Sequence, residues 1–443
     1  MERNLTEGSV FKNILYFSLP YFLSCFLQTL YSMADLFIIG QFGSVADITS
    51  VSIGGQVMHM ITVMIVGLAM GTTVTISQSI GANDKKIAAL FTGNTVTLFL
   101  TVSIIAAAVL LFFVKPIVNI MSTPKEAING TVNYLAICFA GIPFITSYNI
   151  ISSILRGMGD SKSPMYFIAI SCFANIVLDY IFMGFFNMGP AGAALGTTLS
   201  QTISVIVSLI FILKKDTGIN LKKSDFKPAK RITGKILNIG VPVALQDGFI
   251  QIAFIVITII ANMRGLNDAA AVGIVEKIIG IVFLVPSSML SSVSAIAAQN
   301  FGAKKYDRAK KTLFYAIYIC VIFGTIVSVI TQFFPEKIVG IFSPDKTVRL
   351  FGVMYLKSYV WDCIFAGIHF CFSGYFCAMG KSSISFLHNV LSVILVRIPV
   401  SYLMSKMFAH TLFPMGLAAP LGSVLSVIIC VIAYFIVSKK KIA

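Results

Sequence analysis

Long apolar runs alternate with short polar or charged breaks through the whole chain. About 20 mostly apolar residues, wound as a helix, cross the hydrocarbon core of a bilayer. The runs predict twelve such spans, at approximately 14–39, 49–77, 88–114, 131–156, 163–186, 191–213, 236–261, 269–297, 311–333, 350–378, 384–408 and 414–437. Several runs contain Gly, Pro or Ser, which membrane helices tolerate where neighbours take up the freed backbone groups. The pattern therefore predicts an all-α polytopic membrane protein with twelve transmembrane helices.

The pattern also repeats. Ser18-Leu19-Pro20 is answered by Gly240-Val241-Pro242, and Gln78-Ser-Ile-Gly81-Ala82 by Gln299-Asn-Phe-Gly302-Ala303. Met158-Gly159-Asp160-Ser161 is answered by Met379-Gly380-Lys381-Ser382, so that Gly81 to Gly159 and Gly302 to Gly380 are both 78 residues. Last, Met188-Gly189-Pro-Ala-Gly-Ala-Ala-Leu-Gly196 matches Met415-Gly416-Leu-Ala-Ala-Pro-Leu-Gly422, one residue shorter. The chain reads as two six-helix lobes, 1–213 and 236–443, joined by a basic linker at 214–235 that acts as a hinge strap. Six is even, so both lobes enter from the same side, related by a pseudo-two-fold axis along the membrane normal. Such a two-lobed bundle suits alternating access.

Composition narrows the class. Of 443 residues 57% are hydrophobic and 11% charged, against about 25% charged in soluble domains, and mean hydropathy is +0.92. The net charge of +16 sits in the breaks, where it reads as a topology signal and contact with anionic lipid rather than a nucleic-acid surface. With a cytoplasmic N-terminus, the inner breaks hold most of the 33 Lys and Arg, among them the eight between Lys214 and Lys235. The outer breaks hold Lys115, Lys125, Arg264, Lys337, Lys346 and Arg349. Both termini are therefore expected in the cytoplasm. The first run is too long for a signal-peptide core and has no small-residue cleavage site after it, so it is expected to stay as a spanning helix. The eight Cys lie in apolar runs without a C-x-x-C pair and read as small buried hydrophobes.

Polar residues inside the runs carry the candidate chemistry. Asn175 and Asp179, four apart, share one face of the fifth span. An Asp near the bilayer centre costs roughly 2.5–3.5 kcal/mol and usually faces a bundle interior or a watery cavity. The first span carries Gln28, Tyr31 and Asp35, and the sixth Thr197, Thr198 and Gln201. At about 1.5 Å per residue, Asp35 lies roughly 6 Å, Asp179 roughly 10 Å and the sixth-span group roughly 9–15 Å below the outer ends of their helices. Two carboxylates in one low-dielectric pocket do not easily both stay ionised. Such a pocket can hold a proton, or Na+ with hydroxyl and amide oxygens helping. A clasp between helices is the bland alternative. Pro20, fifteen residues before Asp35, removes a backbone hydrogen bond and is either a static kink or a bending point.

In the second lobe Asp247, Glu276, Lys277, Lys357, Asp362 and Arg397 lie within spans. They are either structural ion pairs, such as Asp247 or Asp362 with Arg397, or part of a binding site. Asp247 and Glu276 join Gln28, Tyr31 and Gln201 as candidate substrate-cavity residues. His59, His369 and His388 read as hydrogen-bonded core residues. The 18 Met and 37 Phe suit an adaptable apolar cavity or lipid-facing packing equally.

Gln28-Thr-Leu-Tyr-Ser-Met-Ala-Asp35, Gln78-Ser-Ile-Gly-Ala-Asn83, Leu155-Arg-Gly-Met-Gly-Asp160, Asn175-Ile-Val-Leu-Asp-Tyr-Ile-Phe182 and Met188 to Gly196 together resemble the multidrug and toxic compound extrusion (MATE) family, in its bacterial branch of DNA-damage-inducible-protein-like members. The resemblance spans the chain. It implies a monomeric, multi-pass transporter of the cell membrane that exports organic cations and amphipathic drugs against H+ or Na+, with no other cofactor, and two lobes forming a V around a central cavity. It places the coupling ion at Asp35, Asn175 and Asp179 with Thr197 or Thr198 nearby, and makes Pro20 the family's bending proline. In another branch a seventh-helix Glu and a tenth-helix Asp bind the cation. Here those stretches read Phe249-Ile-Gln251 and Gly367-Ile-His369, and Asp247 and Asp362 are out of register.

Three rivals are weighed against this. A flippase of lipid-linked sugars needs basic residues for pyrophosphate in its cavity, and within the spans of the first lobe the only basic residue is Arg156, at a cytoplasmic helix end. An exporter of one specific metabolite looks the same in sequence. An intramembrane aspartyl protease is suggested only by Gly157-Met158-Gly159-Asp160, a short match without a second Asp in place. The expectation is that the chain is not an enzyme.

Overall fold

The structure is a computed structural model that describes residues 4–214 and 219–439. Linker residues 215–218 and the terminal Lys440 and Lys441 lie outside the described residues. Helices account for the fold, and among the described residues there is no strand. In lipid a backbone must pair its own polar groups, and a continuous apolar sequence does so as helix.

In chain order the spans are α1 (Val10–Phe42), α2 (Val45–Gly81), α3 (Lys85–Phe112), α4 (Lys125–Ala140 and Ile142–Gly157), α5 (Lys162–Phe185) and α6 (Gly189–Lys214). They continue as α7 (Lys230–Asn262), α8 (Leu266–Gly302), α9 (Tyr306–Phe333), α10 (Lys346–Tyr359 and Asp362–Ala378), α11 (Ser382–Met407) and α12 (Phe413–Ser438). Ten of these are long and apolar enough to cross a membrane alone, and the two bent pairs, α4 at 48° and α10 at 43°, bring the number to twelve. Each predicted span meets one of them. The break in α4 falls at Gly141, with Pro143 in the first turn after it. A second break, at Phe283 in α8, is likewise followed by Pro286. Proline has no N–H to give to the preceding turn, which is why helices restart there.

Two compact units emerge: Leu19–Gly240, and Thr6–Ser18 together with Val241 onward. They differ from the two lobes read in the sequence at both seams. The linker is not a free strap, because it is fastened to α3. Asn94 Nδ2 donates to the Asp225 carbonyl at 2.9 Å, and the Ala229 amide donates to Asn94 Oδ1 at 2.7 Å. The start of α7 packs on α2 within the first unit, where Gly71 and Gly240 let the two backbones meet. A Cβ on Gly240 would strike the Leu68 carbonyl, and one on Gly71 the Ile236 carbonyl. The start of α1 belongs to the second unit, held by Lys305 Nζ on the Thr6 carbonyl at 3.0 Å and Arg308 Nη1 on the Gly8 carbonyl at 2.9 Å. So α1 and α7 each pass from one unit to the other just before a proline, Pro20 and Pro242. Helix α1 runs on through Pro20 without a break, and Ser24 Oγ bonds the Pro20 carbonyl at 2.9 Å.

Candidate functional site

The fifth span places the chemistry. Its α-helical part ends at Asp179, and the next six residues, Tyr180–Phe185, wind as a π-helix. A π turn widens the helix locally and recurs at functional sites. Beside it α6 presents Gly192 and Gly196, four residues apart on one face, and small residues at that spacing let membrane helices approach closely. A Cβ on Gly196 would run into Asp179 Oδ1 and lie 3.6 Å from Asn175 Nδ2; one on Gly192 would sit 3.1 Å from Met183 Cγ. Gly196 is thus a site residue that polarity-based reading of the sequence passes over, although the small-residue spacing on α6 signals it.

Three helices converge at this point. Asp35 from α1 is 5% exposed, and Asn175 and Asp179 from α5 are 0% exposed. Asp179 and Asn175 lie within polar-contact range of Asp35. Thr197 from α6 donates to Asp35 Oδ2 at 3.2 Å. No other hydrogen bond of normal geometry reaches the group: Asp35 Oδ1, both Asp179 oxygens and both Asn175 amide atoms have no partner among the described residues. The two carboxyls therefore face each other as acceptors, with the Asn175 amide in polar contact with both and no hydrogen bond of normal geometry joining them.

Thr198 does not join them. Successive residues on a helix point about 100° apart, and Thr198 turns toward the break in α4, where a Cβ on Gly141 would lie 2.8 Å from its Oγ1. Below Asp35 on α1 the candidate cavity residues form a column. Tyr31 meets Gln201, and Gln28 meets Tyr148, a fully buried tyrosine of α4 that the sequence gives no reason to single out. Arg156, the one basic residue within the predicted spans of the first lobe, is buried with its guanidinium 4.4 Å from the Tyr21 ring centroid. Asp160 accepts from the amides of Lys162 and Ser163 at 3.1 and 3.0 Å and from Ser163 Oγ at 2.6 Å, so it caps α5.

The second unit separates the remaining candidates. Asp247 sits by Gln246, whose Oε1 accepts from Ser385 Oγ at 2.6 Å. Glu276 accepts from Thr258 Oγ1 at 3.4 Å. Arg397 does not form the ion pair with Asp247 or Asp362 that sequence suggests. Its Nη2 donates to Tyr359 OH, and its guanidinium stacks 4.9 Å from the Phe254 ring centroid. Aromatic faces take up the weakly hydrated guanidinium well. His369 and His388 are a buried pair with ring centroids 5.5 Å apart, whereas His59 is exposed rather than in the core. Among the described residues no group of three or more His, Cys, Asp or Glu is placed to hold a metal ion.

With this geometry in place, comparison with known proteins is informative. A family model described as MatE matches twice, over residues 20–181 and 242–403, starting at the two prolines where α1 and α7 change units. The probable multidrug resistance protein YoeA of Bacillus subtilis (strain 168) is 24% identical over 443 residues, 98% of this chain and 96% of that one. The multidrug export protein MepA of Staphylococcus saprophyticus is 25% identical over 407 residues, 91% and 89% of the two chains. Among solved structures, a MATE protein in the straight conformation superposes with a TM-score of 0.93 at 22% identity, covering 99% of both chains. A MOP superfamily transporter from Pyrococcus furiosus does so with the same score and identity, over 99% and 98%. At that identity the likeness is one of fold.

Proposed function

The chain belongs to the MatE family, and from that premise we propose that it is a multidrug exporter working as a cation-coupled antiporter. Its cargo would be organic cations and amphipathic compounds, and it would lie in the cell membrane with both termini in the cytoplasm. The names carried by YoeA and MepA support the cargo class. The observation that carries the coupling is the facing pair Asp35 and Asp179, buried, in polar contact and with no hydrogen bond of normal geometry joining them.

One cation completes that pair. A proton on Asp179 supplies a donor to Asp35, whose Oδ2 also accepts from Thr197 at 3.2 Å. A proton is the cation this direct contact supports best. Na+ would have to enter between the two carboxyls, with Asn175 and Thr197 oxygens as further ligands. When the cation leaves, two negative charges confront each other in a low-dielectric site, which disfavours the arrangement seen here. Binding and release therefore bias two conformations, as alternating access requires. Gln28, Tyr31 and Gln201, in the column below Asp35, are where an organic cation would compete with the coupling ion. Export against an inward proton gradient follows from that competition. The capping role of Asp160 supports a transporter rather than a protease.

The test is ethidium or DAPI efflux from proteoliposomes under an imposed pH gradient or an imposed Na+ gradient, for the wild type and Asp179→Asn. The expected result is efflux driven by the pH gradient alone and lost in the variant. Efflux driven only by Na+ would assign the pair to Na+. Equal efflux without any gradient, or an unaffected variant, would remove the coupling role from this site.

A further inference from the structure

The second unit holds a partly open cavity of about 50 Å³. Phe254, Phe283 and Phe370 form its apolar wall, and Asp362, His369, Asn389, Arg397 and Ser423 its polar wall. A buried water needs roughly 10–15 Å³ and two to four polar partners, so the space suits a few waters. Both oxygens of Asp362, Nδ1 of His369 and Nε of Arg397 have no hydrogen bond of normal geometry among the described residues, and Ser423 lies in polar contact with Asp362. Asp362, His369 and Arg397 are 1%, 5% and 9% exposed. Ser423 Oγ lies 3.4 Å from His369 Nε2, and Asn389 Nδ2 is committed to the Ser385 carbonyl at 3.0 Å.

The charge of this region does not balance. From α8 comes Glu276, from the two arms of α10 Tyr355, Tyr359, Asp362, Cys363 and His369, and from α11 His388 and Arg397. Helix α7 adds Phe254 and Thr258 and α12 adds Ser423, none of which titrates. Lys277, next to Glu276, is exposed and points away. Two carboxyls share one guanidinium, which leaves one negative charge to be neutralised, and a buried uncompensated charge is costly. A metal cation in so small a space would press against the fixed charge of Arg397. A proton would not.

We propose that the second unit carries a proton site of its own, in which Asp362 takes a proton from cavity water against the fixed charge of Arg397. The proton arrives from the bulk on cavity water as hydronium: one O–H bond forms on Asp362, one breaks on the hydronium, and a neutral water is left. His369 and then His388, whose Nε2 lies 2.9 Å from Ser373 Oγ, extend the polar file away from the cavity. The site does not rest on the role given to Asp35 and Asp179.

It is tested by infrared difference spectroscopy of the reconstituted full chain during a pH step. An Asp35→Asn/Asp179→Asn background removes the first unit's carboxyls, so the outcome is independent of the coupling site above. The expected result is a protonated-carboxyl C=O band that grows as pH falls, disappears when Asp362→Asn is added, needs a lower pH to appear with Glu276→Gln, because the excess negative charge is then gone, and ignores Na+ at fixed pH. A band that survives Asp362→Asn, or that Na+ removes at fixed pH, would overturn the proposal. Should Asp362→Asn not fold, Asp362→Glu is expected to shift the band frequency, and an unshifted band would overturn it equally.

Discussion

The two units answer the same structural problem in different ways. In each, the last glycine of the repeated motif lets α6 or α12 approach the neighbouring span closely, and that span carries a π-helical turn: Tyr180–Phe185 after Asp179, and Val393–Arg397. Gly196 faces Asp179 and Asn175, while Gly422 faces Ser392 and Arg397, where a Cβ would lie 2.9 Å from Ser392 Oγ and 3.4 Å from Arg397 Cβ. The residue after each glycine is a hydroxyl that reaches the polar centre, Thr197 to Asp35 and Ser423 to His369. What differs is the charge. The first unit sets Asp35 against Asp179 with no guanidinium beside them, whereas the second sets Asp362 and Glu276 around Arg397. A built-in cation cannot leave; a missing one must be borrowed and can be returned. The duplicated frame thus gives one centre that must borrow all of its balancing charge and one in which a fixed guanidinium supplies part of it.

Removing Arg397 tests that contrast most severely. Arg397→Met strands Asp362 and Glu276, and loss of one partner of a buried charge group costs about 3–5 kcal/mol. Thermal unfolding in detergent is expected to show a large drop, partly restored by adding Asp362→Asn. Asp179→Asn is expected to show no loss of stability, because it relieves two facing acceptors, although it ends coupled efflux. Equal destabilisation by both substitutions would break the comparison.

Gly196→Ala is next in size. Overpacking of this kind costs about 1–3 kcal/mol, and because the new methyl displaces Asp179, coupled efflux is expected to fall with it in the proteoliposome assay. Gly422→Ala meets a less severe contact, with Ser392 Oγ at 2.9 Å, and is expected to be milder. The reverse order in a side-by-side melt would mean the two glycines do not do equivalent jobs. Thr197→Val removes one hydrogen bond, worth about 1 kcal/mol. It is expected to weaken coupling without abolishing it, read as a shift in the pH at which efflux is half-maximal. Asp160→Ala is the smallest. It costs a helix cap, about 1 kcal/mol, and dye efflux per folded molecule is expected to stay at the wild-type level.

Much of this was legible in the chain. The apolar runs mark twelve spans, and Asn175 with Asp179 share a face by spacing alone. Depth arithmetic brings Asp35 and Thr197 to the same level. Thr198 fails because depth does not specify azimuth: one step along a helix turns a side chain away from Asp35 and into the bend at Gly141. Arg397 fails as an ion-pair partner because Tyr359 and Phe254 offer it hydrogen-bonding and aromatic surface that no sequence separation reveals. His369 and His388, nineteen residues apart on different spans, look isolated until α10 and α11 pack.

By itself the sequence determined what the solvent dictates. A bilayer requires a length of apolar residues per crossing, internal pairing of the backbone and a burial place for each charge, and all three are written as local pattern and duplication. Only the tertiary structure decided which buried charges meet. That depends on how closely helices approach at Gly196 and Gly422, where two π turns rotate the chain, and to which unit the starts of α1 and α7 are fastened. These are contacts between residues far apart in the chain, and their energies exist only once the helices are side by side.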